Sequence, residues 1–108
     1  MRRLVQKKLL TLITSRAFES MIIKALRQRG VGGYTVVQAS GAGASGIQSG
    51  MLDSDSNILI YVILSEARLV TLLDDFDEMM NSDYRFKVIV TDISILPRKH
   101  ASSATINE

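Results

Sequence analysis

Residues 33–43 read GYTVVQASGAG, and residues 57–64 read NILIYVIL. The first segment begins as a strand containing Val and Thr and ends in small residues, whereas the second is apolar at nearly every position. Between these two strands, residues 40–56 are mostly Gly, Ala, Ser and Asp and offer little to a core. A loop of this length inside a compact domain is usually functional or disordered. We therefore expect function to centre on residues 40–56.

The composition is that of one ordinary globular domain. The chain has 108 residues, of which 46% are hydrophobic and 22% are charged. It contains no cysteine, which excludes disulfides and thiolate metal sites, and its single histidine, His100, excludes a multi-histidine site within one subunit. No apolar run approaches the roughly 18 residues that a membrane-spanning helix needs. These features are consistent with a cytoplasmic location.

Charge is distributed unevenly along the chain. Residues 1–29 contain eight basic side chains against Glu19, and residues 53–83 contain eight acidic side chains against Arg68. The basic third could contact nucleic acid or an anionic membrane surface. Alternatively, two neighbouring helices carry complementary exposed faces. We favour the second interpretation, because charge runs on helices are usually solvated faces.

The first half of the chain predicts a strand, a helix and a second strand. Residues 9–13 are apolar and strand-like, and residues 34–39 form the next strand. Ser15 is placed to cap the helix between them, and Gly30 is suited to the left-handed residue that ends it. The apolar stripe of this helix, spaced at i, i+3, i+4, i+7 and i+8, consists of Phe18, Met21, Ile22, Ala25 and Leu26.

The second half predicts a strand, a helix and a fourth strand. Asn57–Leu64 is the buried strand, and Ser65 caps the following helix. The stripe of that helix is Leu69, Leu72, Leu73, Phe76 and Met80. In the last strand the alternation of apolar residues changes phase around residues 91–92, which predicts a β-bulge. Pro97 ends the element, so we expect a domain over residues 1–98 and a flexible polar tail over residues 99–108.

The resulting order, β-α-β-β-α-β, is that of a ferredoxin-like α+β sandwich. Two helices can cover only one face of a four-stranded sheet. The strand at residues 57–64 offers apolar side chains to both faces. The sequence therefore predicts self-association through the open face of the sheet.

Catalysis has little support in the sequence. There is no Cys/His pair, no G-x-S-x-G motif and no Gly-Lys-Ser/Thr phosphate loop. The acidic cluster of residues 74–78 is interpreted as an exposed helix face, because its members do not converge on one point. Gly41 and Gly43 could bring backbone N–H groups to an anion, although a flexible loop is an equal alternative. RNA binding is disfavoured, because the two central strands offer only Tyr61 for base stacking.

The pattern resembles the PII signalling superfamily. Residues 33–37 followed by Gly41-x-Gly43 are similar to the second strand of that family leading into its T-loop. Residues 53–57, DSDSN, and residues 82–85, SDYR, are most similar to the PII-like branch linked to inorganic-carbon uptake, which includes the SbtB-type proteins and carboxysome-associated relatives. The resemblance covers roughly residues 7–98. It implies a homotrimer with an adenine nucleotide in each cleft between subunits and a T-loop at residues 40–56 that responds to it.

The resemblance also implies roles for individual residues. By position, Gly33 and Thr35 would lie near the adenine, and Ile63 and Leu64 would flank the nucleotide. Gly41 and Gly43 would direct backbone N–H groups towards phosphate. Three residues, Tyr84, Arg85 and Phe86, take the place of the B-loop of the family. Arg98 falls where the family has a phosphate-binding arginine, with a solvated tail residue as an equal alternative.

Several family features are missing. Ala44 and Ser45 occupy the positions where nitrogen-signalling members carry a glutamine that serves Mg-ATP and 2-oxoglutarate, which argues against 2-oxoglutarate sensing. Residues 40–56 contain no tyrosine for uridylylation and no Arg or Lys. The resemblance therefore implies AMP or ADP as ligand ahead of ATP or cyclic AMP, together with bicarbonate.

The sequence thus predicts a non-enzymatic PII-like regulator. Its T-loop would bind a membrane transporter, most plausibly one for bicarbonate, which would recruit it to the inner face of the membrane. No nucleic-acid partner is expected. The alternatives are a CutA-like or other ferredoxin-like trimer that binds a small ligand without nucleotide sensing, and a weak hydrolase of the bound nucleotide.

Overall fold

The computed structural model describes residues 1–41 and 57–98, which form four strands and two helices in the order β-α-β-β-α-β. The elements are β1 (Val5–Ser15), α1 (Glu19–Gln28), β2 (Thr35–Ala39), β3 (Asn57–Leu64), α2 (Glu66–Asn81) and β4 (Phe86–Ile95). The strands form one sheet in the order β2-β3-β1-β4, and every neighbouring pair is antiparallel. The predicted ferredoxin-like fold is confirmed.

The sheet is longer and more regular than the sequence predicts. The β1–β4 ladder runs without interruption from Val5↔Ile95 to Thr14↔Phe86, so the predicted β-bulge at residues 91–92 is wrong. Along β4 the positions that face the helices change from buried Phe86 to exposed Val90. The phase change therefore marks the point where the strand runs beyond the helices, and the register stays constant.

Both predicted serines cap a helical segment, Ser65 at the start of α2 and Ser15 at the start of the short turn before α1. The Ser15 hydroxyl accepts a hydrogen bond from the Ala17 N–H at 3.2 Å, and a short 3-10 turn at Arg16–Phe18 leads into α1. The Ser65 hydroxyl accepts from the Arg68 N–H at 3.3 Å at the start of α2. Each hydroxyl satisfies a backbone donor that has no partner within the helix.

The two helices end in the same hydrogen-bonded motif. At α1, the Val31 N–H donates to Leu26 and the Gly30 N–H donates to Arg27, at 2.9 and 3.0 Å. This is a Schellman motif, and Gly30 has the left-handed φ of 81° that the motif requires. Val31 and Leu26 are both fully buried, so the turn also contributes apolar contact. At α2, Asp83 takes the left-handed position with a φ of 71°.

The core lies between the helices and the facing side of the sheet. Its buried apolar residues are Leu10, Leu12, Ile22, Ile23, Ala25, Leu26, Val31, Ile58, Ile60, Val62, Leu64, Leu69, Leu72, Phe76 and Phe86. The sequence stripes omit Ile23 and Val31, and they include Met80, which is 40% exposed. Ile23 and Val31 were missed because their burial depends on how α1 packs on the sheet, which helical spacing alone does not specify.

The other face of the sheet is apolar and uncovered by any described residue. In β3 the side chains alternate, so that Ile58 and Ile60 enter the core while Leu59 and Ile63 point to the opposite face. Ile63 is 41% exposed, and Ile89 on β4 is 43% exposed. The described residues of one chain therefore cover one face of the sheet and leave its second face open.

The complementary charges of the two helices meet across the helix layer. Arg29, next to the end of α1, forms two hydrogen bonds of 2.7 Å with the carboxylate of Asp75 on α2. The Arg29 guanidinium lowers the pKa of Asp75 below its ordinary value of 3.8. The guanidinium of Arg68 also donates to the Gly30 carbonyl at 2.9 Å. The Arg29–Asp75 pair supports the interpretation of complementary helix faces for the part of the basic run that lies around α1, whereas residues 1–8 lie in or before β1.

Among residues 1–41 and 57–98, no helix is long and apolar enough to cross a membrane. The predicted tail at residues 99–108 and most of the predicted T-loop lie outside the described residues. The division of the chain at residue 98 stays a prediction.

Substituting Gly30→Ala tests the motif that ends α1. A Cβ at Gly30 would meet the Arg68 guanidinium at an ordinary 3.7 Å, so the cost arises from the left-handed backbone. We expect the free energy of unfolding to fall by about 1–2 kcal/mol. The matched control is Gly32→Ala, because a Cβ at Gly32 meets nothing within 4 Å. Denaturant titration should show a change within about 0.5 kcal/mol for this control. Equal effects of the two substitutions would contradict the motif.

Substituting Asp75→Asn tests the contact between the helices. Because the folded-state pKa of Asp75 is lowered, its ion pair stabilises the protein above the unfolded-state pKa and is lost as pH falls through the folded-state pKa. We expect a small loss of stability at pH 7, as is usual for partly exposed pairs, that disappears as pH falls through the lowered folded-state pKa of Asp75. Asp74→Asn, an exposed neighbour on α2, should have a smaller effect. Stability curves that stay parallel from pH 7 to pH 2 would argue against the ion pair.

Candidate functional site

The antiparallel sheet has two ends, and the predicted site residues divide between them. We call the "loop end" the end where β1 and β2 finish and β3 and β4 begin. The opposite end, where β1 and β2 begin and β3 and β4 finish, is the "arm end". The loop end therefore contains the strand residues that border residues 42–56.

Gly41 lies at the loop end, two residues after the end of β2. A Cβ at Gly41 would meet no atom of the described residues within 4 Å. Its carbonyl accepts a hydrogen bond of 3.4 Å from the Asn57 amide. Gly43, the second glycine of the motif, lies outside the described residues.

Asn57 is a residue of this end that the sequence analysis did not assign to the site. It is 4% exposed and is the first residue of β3. Its hydrogen bond to Gly41 links the start of β3 to the segment after β2. Its Oδ1 atom is buried and has no hydrogen-bond partner among the described residues. An asparagine at the start of an otherwise apolar strand is the feature of the sequence that could have identified it.

The turn before β4 also lies at the loop end. Tyr84 packs edge-to-face on Phe18, with ring centroids 5.3 Å apart, which fixes the turn against the start of α1. The Arg85 carbonyl accepts from the Thr14 hydroxyl at 3.4 Å, while the Arg85 side chain is exposed. The turn therefore presents an arginine from an anchored backbone.

Phe86 contributes to this end through its backbone alone. Its side chain is 6% exposed and packs edge-to-face against Phe76 in the core, with ring centroids 5.6 Å apart. The ring is therefore unavailable to a ligand. The resemblance placed Phe86 in the site by position, and the alternation of β4 directs its side chain inward.

Five predicted residues lie at the arm end: Gly33, Thr35, Ile63, Leu64 and Arg98. Thr35 pairs with Tyr61 at the start of β2, and both side chains point to the open face. Ile63 is exposed on the same face, whereas the Leu64 side chain is fully buried in the core. Only backbone atoms of Leu64 could contact a ligand. Arg98 is exposed and follows the buried Pro97.

The two groups are too far apart to form one pocket within a chain. The eight residues of β3 separate the loop end from the arm end by roughly 23 Å. A nucleotide phosphate could not contact Arg85 and Arg98 of the same chain along this sheet. If all of these residues serve one ligand, they must come from two copies of the chain.

Two open grooves lie on the helix layer instead. One, of about 550 Å³, is lined by residues of α1 and by Tyr34. The other, of about 660 Å³, lies between α1 and α2 and includes Tyr84. No other predicted site residue lines either groove. Within residues 1–41 and 57–98, no group of three or more His, Cys, Asp or Glu side chains is arranged to hold a metal ion.

Comparison with known proteins identifies the family. A family model described as nitrogen regulatory protein P-II matches residues 7–100. CPII from Thiomonas intermedia K12, in a structure with ADP and bicarbonate, is 30% identical with a TM-score of 0.77; the match covers 89% of this chain and 94% of CPII. A further CPII structure, with ADP, AMP and bicarbonate, has a TM-score of 0.78 at 27% identity and covers 89% and 93% of the two chains.

A PII-like signalling protein from Thermus thermophilus is 27% identical, with a TM-score of 0.74, and the match covers 89% of this chain and 94% of that protein. No curated protein sequence matches this chain significantly. The family model spans most of the chain and includes every described strand and helix apart from the first two residues of β1. The chain therefore belongs to the nitrogen regulatory protein P-II family.

Proposed function

We propose that this chain is a PII-like signalling protein that binds an adenine nucleotide in clefts between the subunits of a homotrimer. The observation that carries the proposal is the division of the implied ligand residues between the two ends of the sheet. A cleft formed by the loop end of one subunit and the arm end of its neighbour would bring the two groups of implied ligand residues together. Arg85 of one copy and Arg98 of the next would then approach the same ligand.

The open face of the sheet supports the assembly. It is lined by apolar side chains from all four strands, among them Val37, Leu59, Ile63 and Ile89. Burial of such a face is worth roughly 25 cal/mol per Å² of apolar surface. Cyclic association of three copies would cover the three faces and leave no open edge to continue the assembly.

The ligands of the relatives support the choice of nucleotide. CPII is described in complex with ADP, AMP and bicarbonate. We propose AMP or ADP as the ligand of this chain, with bicarbonate as a second ligand and ATP or cyclic AMP as lesser candidates. The absence of the family glutamine at residues 44–45 argues against 2-oxoglutarate. The family match favours this function over a CutA-like protein that does not sense nucleotides.

The proposed output is a change in residues 40–56, which connect β2 to β3 next to the loop end. A ligand can bias such a segment only if it binds its alternative states with different affinity. The Gly and Ser content of the segment raises the entropy cost of ordering it, so the differential affinity of the ligand must offset that cost before the ordered state is populated. We propose a membrane transporter for inorganic carbon as the partner, which a protein of the carbon-uptake branch would contact from the cytoplasm. The role is regulatory and non-enzymatic.

Substituting Ile89→Glu tests the assembly. A carboxylate on the open face would lose its hydration on burial between subunits, so we expect the variant to be monomeric. The wild type should have three times the chain mass of 11.9 kDa in sedimentation or light-scattering measurements. Val70→Glu is the matched control, because Val70 is 56% exposed on α2 in the other layer. A monomeric wild type, or equal effects of the two substitutions, would contradict the assembly.

Calorimetric titration with AMP, ADP, ATP and cyclic AMP, with and without bicarbonate, tests the ligand. We expect micromolar binding of AMP or ADP at one site per chain, and no conversion of the nucleotide during incubation. Arg85→Ala and Arg98→Ala should each weaken ADP binding by about tenfold or more, because each removes a charge-assisted contact.

Mixing these two variants distinguishes a shared cleft from a site within one chain. After a 1:1 mixture is unfolded and refolded, about one cleft in four of the randomly reassembled trimers would combine an intact Arg85 with an intact Arg98. We expect that fraction of sites to regain wild-type affinity. If no high-affinity site is regained, the shared cleft is contradicted. If no nucleotide gives a binding heat in the calorimeter, nucleotide sensing itself is contradicted.

A further inference from the structure

The N-terminal residues lie beside the chain that follows β4. The last pair of the β1–β4 ladder is Val5↔Ile95, and Gln6 donates a hydrogen bond of 2.8 Å to the Ser94 hydroxyl. The family model begins at residue 7, so Val5 and Gln6 extend the ladder beyond the part of the chain that the model matches. Residues 1–4 therefore start from the same point as residues 96–98. We call these two segments the basic arm.

Three arginines belong to the basic arm. Arg3 follows two residues beyond Val5 in the outward direction, and Arg98 follows three residues beyond Ile95. At no more than about 3.6 Å per residue, their α-carbons lie within about 7 and 11 Å of the last ladder pair. Arg2 is one residue farther out. The β1–β4 ladder thus places the N-terminal arginines at the arm end of the sheet, where Arg98 also lies.

The positive charge of the basic arm is not compensated by nearby carboxylates. Arg2, Arg3 and Arg98 are exposed, and none forms an ion pair with a carboxylate among residues 1–41 and 57–98. Asp92, the carboxylate of the β1–β4 ladder, and Glu66 at the start of α2 both form ion pairs with Lys8. A cluster of arginines without counter-charge attracts anions, and the planar guanidinium is well matched to phosphate.

The loop cannot supply this charge. Residues 40–56 contain no Arg or Lys, so positive side chains for a nucleotide phosphate must come from other segments. At the loop end Arg85 offers one such group, and at the arm end Arg98 offers another. The additional phosphates of a diphosphate or triphosphate would require more.

We propose that Arg2 and Arg3 join Arg98 in binding the nucleotide phosphates of the cleft, so that this chain prefers ADP to AMP. This inference rests on the proposed nucleotide-binding function. Leu4 and Leu96, each 63% exposed beside these arginines, would pack on the neighbouring subunit when the arm reaches the cleft. The N-terminal segment then determines how many phosphates the site recognises.

The test compares AMP and ADP affinity in the full-length wild type and in the double variant Arg2→Gln/Arg3→Gln. We expect ADP affinity to fall by about tenfold or more and AMP affinity by less than about threefold, because the lost contacts serve the second phosphate. The salt dependence of ADP binding should also decrease. The thermal unfolding midpoint should not change, since no described contact of Arg2 or Arg3 stabilises the fold.

The matched control is Lys24→Gln/Arg27→Gln, which removes the same charge from the groove on α1. This control should leave the ratio of AMP to ADP affinity unchanged. An equal loss of ADP affinity in both double variants would show only a general attraction of anions to positive charge, and it would overturn the proposal. An unchanged ADP affinity in the Arg2/Arg3 variant would overturn it as well.

Three further outcomes separate lipid from nucleotide phosphate and this inference from the proposed function. Flotation with vesicles containing phosphatidylserine tests whether the arm binds lipid headgroups. If the Arg2/Arg3 variant loses vesicle binding but keeps wild-type ADP affinity, the phosphate belongs to a lipid and the nucleotide assignment is wrong. If the wild type binds no nucleotide, the proposed function itself fails, and this inference fails with it. If the wild type binds AMP and ADP equally while the variants match it, only this inference fails.

Discussion

The structure depends on a sheet that two helices cover on one side. In β3, Ile58, Ile60 and Val62 enter the core while Leu59 and Ile63 point to the opposite face, and both sets are apolar. A strand that alternated apolar and polar residues would have left a solvated face and a self-sufficient monomer. This strand commits the chain to covering its second face with another surface. That constraint links the fold to an assembly before any ligand is considered.

The same sheet separates the residues that a ligand would need. Antiparallel pairing sends β2 towards the loop and β3 away from it, so the residues that border the loop are distant from those at the arm end. Arg85 and Arg98 border opposite ends of β4. The proposed shared cleft would resolve this separation, because association through the open face would bring the loop end of one copy near the arm end of another.

Local signals in the sequence predicted the strands and helices, whereas features that depend on packing could not be predicted from the sequence. Ser15, Gly30 and Ser65 act through hydrogen bonds and dihedral angles within a few residues, and all three lie where they were predicted. The predicted bulge in β4 was wrong because the strand extends beyond the helices that cover the sheet. No local sequence pattern reveals where that cover ends. In the candidate site, similarity by position could not tell that the Leu64 and Phe86 side chains belong to the core. Their inward orientation follows from the register of the sheet.

A site shared between copies makes ligand binding and assembly one linked equilibrium. A nucleotide that binds only the complete cleft stabilises the trimer by mass action, and the trimer in turn raises the apparent affinity for the nucleotide. Under the proposed function the charges have a second role, since the basic side chains on the arm and at Arg85 would repel one another in the assembled cleft until an anion lies between them. An empty cleft would then weaken the interface, and a filled one would strengthen it. Under the proposed function, the ligand that sets the state of the loop also holds together the subunits between which the loop emerges.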